Sequence, residues 1–271
     1  MGNYIQISFD GIQSEQQELL IAFLSEAGYE GFEENDNVLS AYIEEKNFDK
    51  VLLNELVYKY QLTYTEQLIP QQNWNKFWES NFQPVVVEDF VAIRANFHAI
   101  IPGVKYEIVI TPKMSFGTGH HATTYMMIQQ MRELDFTGKS VFDFGTGTGV
   151  LAILAEKLGA SGVLAIDNDE WSIENAQENI SYNKCLKIQA QLSDTFQDTT
   201  KYDIILANIN RNVILGNAKS IASSLKENGR LLLSGLLEED ETAIREFFNT
   251  HNLFLRKKYS KNSWISLLFS R

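Results

Sequence analysis

A single cysteine, Cys185, stands in 271 residues. It excludes an intramolecular disulfide and a thiolate-built metal cluster. No apolar run approaches the roughly 20 residues that cross a bilayer. The opening residues, Met1-Gly2-Asn3-Tyr4-Ile5, carry neither a basic segment nor a long apolar one. The expectation is a cytoplasmic protein with no signal peptide and no membrane partner. Basic residues are scarce at the front. Residues 1–70 hold 13 acids against Lys46, Lys50 and Lys59, a net of −10 within a whole-chain charge of −12. Such a segment repels phosphates and steers cationic partners, which argues against direct nucleic-acid binding and for a basic partner. A purely solubilising surface would have the same composition. Internal repeats and low-complexity stretches are also lacking.

The length suits one large domain with a small companion. In the front segment Ile5, Ile7 and Phe9 alternate as a half-buried strand does. Ser14 and Gln17 have capping-box spacing before a helix through Leu20, Phe23, Leu24 and Ala27, ending at Gly28. Strands over Tyr29–Phe32 and Val38–Ile43, a helix through Leu52–Tyr60 and a strand Leu62–Ile69 complete a β-α-β-β-α-β order. That is the split βαβ, ferredoxin-like α+β unit, expected over residues 1–70. Residues 71–104 crowd Trp74, Phe77, Trp78 and Phe82 ahead of short strands at Val85–Val87 and Phe90–Ile93, a structured aromatic linker.

From about residue 105 to 271 strands alternate with helices, the pattern of an α/β domain on a parallel sheet. Strands are expected at Ser140–Phe144, Val163–Asp167, Lys187–Leu192, Asp203–Ala207 and Arg230–Ser234. An antiparallel hairpin follows, Leu253–Tyr259 with Ser263–Phe269.

The first of those strands runs through Asp143 into Gly145-Thr146-Gly147-Thr148-Gly149, and an apolar helix follows at once. Alternating glycines let a ligand approach the backbone closely, at the carboxyl end of the sheet where ligands bind. The next strand ends in Asp167, whose carboxylate can accept both hydroxyls of a ribose. A dinucleotide loop reads G-x-G-x-x-G; here Val150 occupies the place of the later glycine, and Asp143 suits a cation better than a phosphate. S-adenosyl-L-methionine, a sulfonium and ammonium cation without phosphate, is therefore favoured over a nicotinamide dinucleotide.

A second glycine turn, Phe116-Gly117-Thr118-Gly119, feeds a helix through His120-His121-Ala122-Thr123-Thr124. Threonine hydroxyls and unpaired N–H groups there can take the cofactor's carboxylate, or Thr123 or Thr124 can simply cap the helix. The His120-His121 pair invites a metal, but no further ligand set has metal spacing, and none is expected. The fourth strand ends in Asn208. Its amide can orient an attacking amine, or serve as N-cap of the next helix. Ser193-Asp194 can border an adenine or cap a turn.

Asp143 to Gly149, Asp167 and Ala207-Asn208-Ile209 together resemble a class I methyltransferase. The run Met114-Ser115-Phe116-Gly117-Thr118-Gly119-His120-His121-Ala122-Thr123-Thr124, with Asn73-Trp74-Asn75-Lys76-Phe77-Trp78 and Ser234-Gly235-Leu236-Leu237, resembles the bacterial ribosomal protein L11 methyltransferase family. The likeness covers residues 72–271, and it departs at Thr111-Pro112-Lys113, where the family usually carries aspartate, proline and glycine. It implies a Rossmann-like catalytic domain that methylates lysine and N-terminal amines of that ribosomal protein. It also implies that the small front domain holds the substrate while the linker lets it swing. By motif position Thr124, Gly145, Asp167 and Asn208 fall on cofactor-contacting positions, and Gly147, Asp143, Phe116, Gly117 and Thr118 join them as candidates; Asn208 is also the catalytic candidate. Enzymes acting on glutamine amides or bases carry Asn-Pro-Pro-Tyr where this chain has Asn208-Ile209-Asn210-Arg211.

Overall fold

Alternation of Ile5, Ile7 and Phe9 turns one face of β1 (Tyr4–Asp10) onto two helices, α1 (Ser14–Glu26) and α2 (Lys50–Tyr60). Leu39, Ala41 and Ile43 of β3 (Val38–Glu44) extend that face, and Leu20, Leu24 and Leu53 cover it. With β2 (Gly31–Asn35) and β4 (Tyr64–Ile69) the sheet order is β2-β3-β1-β4, antiparallel throughout. This is the ferredoxin-like arrangement. The N-cap of α1 is Gln13, one residue ahead of the expected Ser14, because the Gln13 N–H donates to Gln16 Oε1 at 3.2 Å. Asp49 caps α2 by accepting from the amides of Val51 and Leu52.

The computed structural model describes residues 3–35, 37–69, 83–111, 119–194 and 200–271, in two compact units, Met1–Ser80 and Asn81–Arg271. Trp74, Phe77, Trp78 and Phe82 lie outside the described residues. The described part of the expected linker, residues 83–104, lies in the second unit. There β5 (Val85–Val87), β6 (Val91–Ala95) and β7 (Tyr106–Ile110) form a three-stranded sheet, and Ala92, Ile93, Ile108 and Ile110 are fully buried.

The remaining elements are α3 (Ala122–Met131), β8 (Ser140–Phe144), α4 (Val150–Lys157), β9 (Gly162–Asp167), α5 (Glu170–Tyr182), β10 (Ile188–Leu192), β11 (Tyr202–Asn208), α6 (Arg211–Ser223), β12 (Leu225–Leu237), α7 (Glu241–Thr250), β13 (Phe254–Lys261) and β14 (Trp264–Ser270). Their sheet runs β10-β9-β8-β11-β12-β14-β13. The first five strands are parallel, and β14 is antiparallel to both its neighbours. Strand order reverses between β8 and β11, so the crevice above their carboxyl ends is where such a sheet takes a ligand. Phe142, Ile205, Ala207, Leu231, Leu233, Leu267 and Phe269 pack with Ile214, Ile221 and Phe248 of α6 and α7. The hairpin turns through Asn262 and Ser263, both with positive φ, the backbone that a two-residue hairpin turn demands.

Candidate functional site

Between β8 and α4 the backbone passes through Gly145 (φ 72°), Gly147 (φ 53°) and Gly149 (φ 81°). Residues with a Cβ seldom adopt these values. At Gly145 space is short too: a Cβ would stand 2.1 Å from Cγ2 of Ile209. Gly149 is the N-cap of α4.

Asp167 closes β9 and reaches back to the loop, its Oδ2 accepting the Gly147 N–H at 2.8 Å and its Oδ1 the Asp169 N–H at 3.1 Å. Burial lifts its pKa above the usual carboxylate value, while the amides of Gly147 and Asp169 oppose the rise. Each oxygen keeps a lone pair, so two hydroxyls remain within the carboxylate's capacity. Ser193 is tied to the same strand end, its N–H donating to the Asp167 carbonyl at 2.8 Å.

Asp143 lies under the loop rather than at its surface, only 1% exposed. Its Oδ2 accepts from the Thr146 hydroxyl at 2.6 Å, and its Oδ1 is buried without a hydrogen-bond partner. Burial pushes the carboxyl up to about 7, against the pull of Thr146 and with a further push from Asp167.

Asn208 closes β11 beside the loop. Its Nδ2 donates to Thr124 Oγ1 at 3.1 Å, and its Oδ1 is buried with no partner. The N-cap of α6 is Asn210, whose Oδ1 accepts the Val213 N–H at 3.0 Å, so Asn208 is not consumed as a cap. Thr124 is equally spared. His121 caps α3, its Nδ1 accepting the Thr123 N–H at 3.3 Å, and burial drives its pKa down to about 4, which keeps the ring a neutral acceptor. Burial lowers His120 as well. The β13–β14 hairpin holds this helix end: Trp264 meets His121 edge-on at 4.7 Å, and Lys261 Nζ lies 3.9 Å from the ring centre of Tyr125.

Asn208, Thr124, Gly145, Gly147, Asp143 and Asp167 thus gather at the carboxyl ends of β8, β9 and β11 and the first turn of α3. Phe116, Gly117 and Thr118 lie outside the described residues. Among the described residues no three His, Cys, Asp or Glu side chains assemble as a metal set. Sequence reasoning gave Gly235 no structural role and overlooked the asparagines of α5. At Gly235, φ is +79° and a Cβ would stand 2.4 Å from the Ile209 carbonyl oxygen. The signal for α5 was Asn175, Asn179 and Asn183 at intervals of four, one face of a helix.

The donor set fits S-adenosylmethionine. The loop lacks the later glycine of a dinucleotide loop, with Val150 in its place, and the acid at the end of β9 suits a ribose. A class I S-adenosylmethionine-dependent methyltransferase is what this sheet order and this crevice define. Within that class, the family model described as ribosomal protein L11 methyltransferase (PrmA) matches residues 5–271, and the chain belongs to that family.

A ribosomal protein L11 methyltransferase of Porphyromonas gingivalis is 40% identical over 261 residues, 93% of this chain and 90% of the relative. Another from Chlorobaculum parvum is 39% identical over 280 residues, 98% and 96% of the two chains. The crystal structure of the ribosomal protein L11 methylase of Lactobacillus delbrueckii subsp. bulgaricus superposes with a TM-score of 0.64 at 28% identity, covering 70% of this chain and 99% of that one. The protein is a methyltransferase, and its cofactor is S-adenosylmethionine. No described helix is long and apolar enough to cross a membrane.

Proposed function

We propose that this enzyme methylates lysine and N-terminal amines of ribosomal protein L11 in the cytoplasm, with the acidic first unit docking that basic substrate. The observation that carries the amine chemistry is the unpaired, buried Oδ1 of Asn208 at the end of β11, held by Thr124. Bound S-adenosylmethionine supplies an already activated methyl group on its sulfonium. The chain's own task is to deliver a neutral nucleophile in line.

Asp167 would hold the ribose hydroxyls, and the loop from Gly145 to Gly149 would form the cradle. Asp143 holds the loop from below by accepting from the Thr146 hydroxyl. One N–H of Asn208 Nδ2 donates to Thr124 Oγ1, which fixes the amide's orientation and leaves the buried Oδ1 with its acceptor capacity unspent. That oxygen takes a hydrogen bond from the incoming amine and turns the lone pair toward the reacting carbon. A lysine of ordinary pKa, ~10.4, is neutral only about once in a thousand at pH 7.4. Removal from water in the crevice shifts that balance toward the neutral amine, its proton leaving to solvent before attack.

Docking through the first unit rests on the charge of its residues 1–70, 13 acids against three lysines. Incubation of the enzyme with S-adenosylmethionine and L11, read by intact mass, tests the whole scheme. A ladder of methyl additions is expected, absent with Asn208→Ala. An unmodified L11 alongside measurable cofactor binding would overturn the substrate. Raising salt should raise the KM for L11 and leave that for the cofactor unchanged; a KM for L11 indifferent to salt would remove the acidic docking surface.

A further inference from the structure

Asn175 and Asn179 of α5, with its C-cap Asn183, bond to backbone beyond the helix. Asn183 treats β7 as a neighbouring strand would: its Oδ1 accepts the Val109 N–H at 3.0 Å and its Nδ2 donates to the Val109 carbonyl at 2.6 Å. One turn earlier, Asn179 Oδ1 accepts the Thr111 N–H at 2.7 Å, while its Nδ2 donates to the Thr148 carbonyl at 2.8 Å and to Asn175 Oδ1 at 2.9 Å. Asn175 Nδ2 completes the set on the Thr111 carbonyl at 3.2 Å. Asn175 and Asn179 are wholly buried. Between them Ala176 brings the helix so close that a Cβ on Gly149 would lie 3.3 Å from its Cβ.

Thr148 belongs to the glycine loop. Thr111 is the residue that follows β7. One amide therefore spans the glycine loop and the end of β7. We infer that Asn179, braced by Asn175, is a positioning residue that sets the glycine loop against the end of β7, and so governs cofactor affinity without touching the cofactor. A buried amide with every donor and acceptor engaged has one arrangement, so the loop carbonyl and the strand amide are held in a fixed relation. Asn183 makes the same strand contact with no link to the loop, and serves as the internal control. This inference rests on the glycine loop being the cofactor site.

The experiment is calorimetric titration of S-adenosylhomocysteine into wild type, Asn179→Ala, Asn175→Ala and Asn183→Ala, with thermal unfolding of each. Asn179→Ala should weaken binding by about 10- to 100-fold, the scale of a misplaced site. Asn183→Ala, with a comparable drop in Tm, should stay within about threefold of wild type. Hydrogen exchange adds a readout that general destabilisation does not move: ligand should slow exchange of the Thr111 amide in wild type and in Asn183→Ala, and not in Asn175→Ala or Asn179→Ala. If Asn179→Ala does not fold, Asn175→Ala carries the test through its loss of the Thr111 carbonyl contact. Affinity falling equally in the Asn179 and Asn183 variants, or unchanged in both, overturns the inference while leaving the cofactor site in place. Wild-type protein that binds no S-adenosylhomocysteine overturns both.

Discussion

Asn208 Nδ2 and Thr124 Oγ1 lie 3.1 Å apart although 84 residues separate them in the chain. The bond fixes the orientation of the amide and leaves the buried Oδ1 without a partner. Asn208→Ala should lower kcat by about a hundredfold or more, while the cofactor Kd changes within about threefold. Thr124→Val, which removes the acceptor for Nδ2 along with the hydroxyl's own donor, should show a smaller loss of kcat. A larger change in Kd than in kcat would make Asn208 chiefly a cofactor ligand.

Asp167 holds the loop through the Gly147 N–H, besides the ribose contact proposed for it. Asp167→Ala should weaken binding of S-adenosylhomocysteine by about 1–3 kcal/mol. Asp167→Asn should recover part of it, because its Oδ1 still accepts a hydrogen bond. Calorimetry decides; an unchanged Kd in the alanine variant removes Asp167 from the site.

Ile209 is pinched between two glycines, and the two pinches differ in kind. A Cβ at Gly145 meets its Cγ2 at 2.1 Å, and one at Gly235 meets its backbone oxygen at 2.4 Å. Each Gly→Ala change should cost about 2–4 kcal/mol through left-handed strain and overpacking. In an Ile209→Ala background the Gly145→Ala cost should fall by about 1–3 kcal/mol, since the clashing methyl is gone, while the Gly235→Ala cost stays. Urea unfolding of the two double-mutant cycles measures both terms.

His121 and Asp143 pull the pH dependence of stability in opposite directions. The folded His121 titrates at about 4 against an ordinary 6.5, so the unfolded chain binds the extra proton and stability drops as pH falls through that window. Replacing it by Asn, a non-titrating cap, should remove about 3 kcal/mol of acid sensitivity between pH 6.5 and 4. Asp143 is raised from 3.8 to about 7, so the folded chain holds the extra proton and stability falls as pH rises across that range. Asp143→Asn should therefore gain on wild type by a few kcal/mol between pH 4 and pH 8. Parallel curves for wild type and either variant would refute that assignment.

The cofactor crevice could be anticipated because its parts are local: a strand, three glycines and a helix at one place, and an acid or amide at a strand end. Those patterns place Asp167 and Asn208 without knowledge of the fold. The boundary between Asn208 and the cap of α6 could not be read locally, since Asn208 and Asn210 have equal capping propensity and only β11's extension to Asn208 separates them. Asn179 escaped for a different reason. On a helix with Glu170, Glu174 and Glu178, asparagines at intervals of four look like a solvated face, and only the approach of β7 and the glycine loop buries them. Gly235 needs the same long-range knowledge, because what crowds it is the backbone of Ile209.

The placement of β14 between β12 and β13 carries a consequence for biogenesis. Parallel strands β8 to β12 are made early, yet the edge of β12 stays unpaired until residues 264–270 have cleared the exit tunnel, and the clasp of Trp264 on His121 waits for the same residues. A nascent chain stalled before that point presents an open strand edge and a loosely held α3, the kind of species that chaperones protect and proteases clear. The enzyme that modifies a component of the ribosome would thus complete its own reactive centre only as its last strand leaves one.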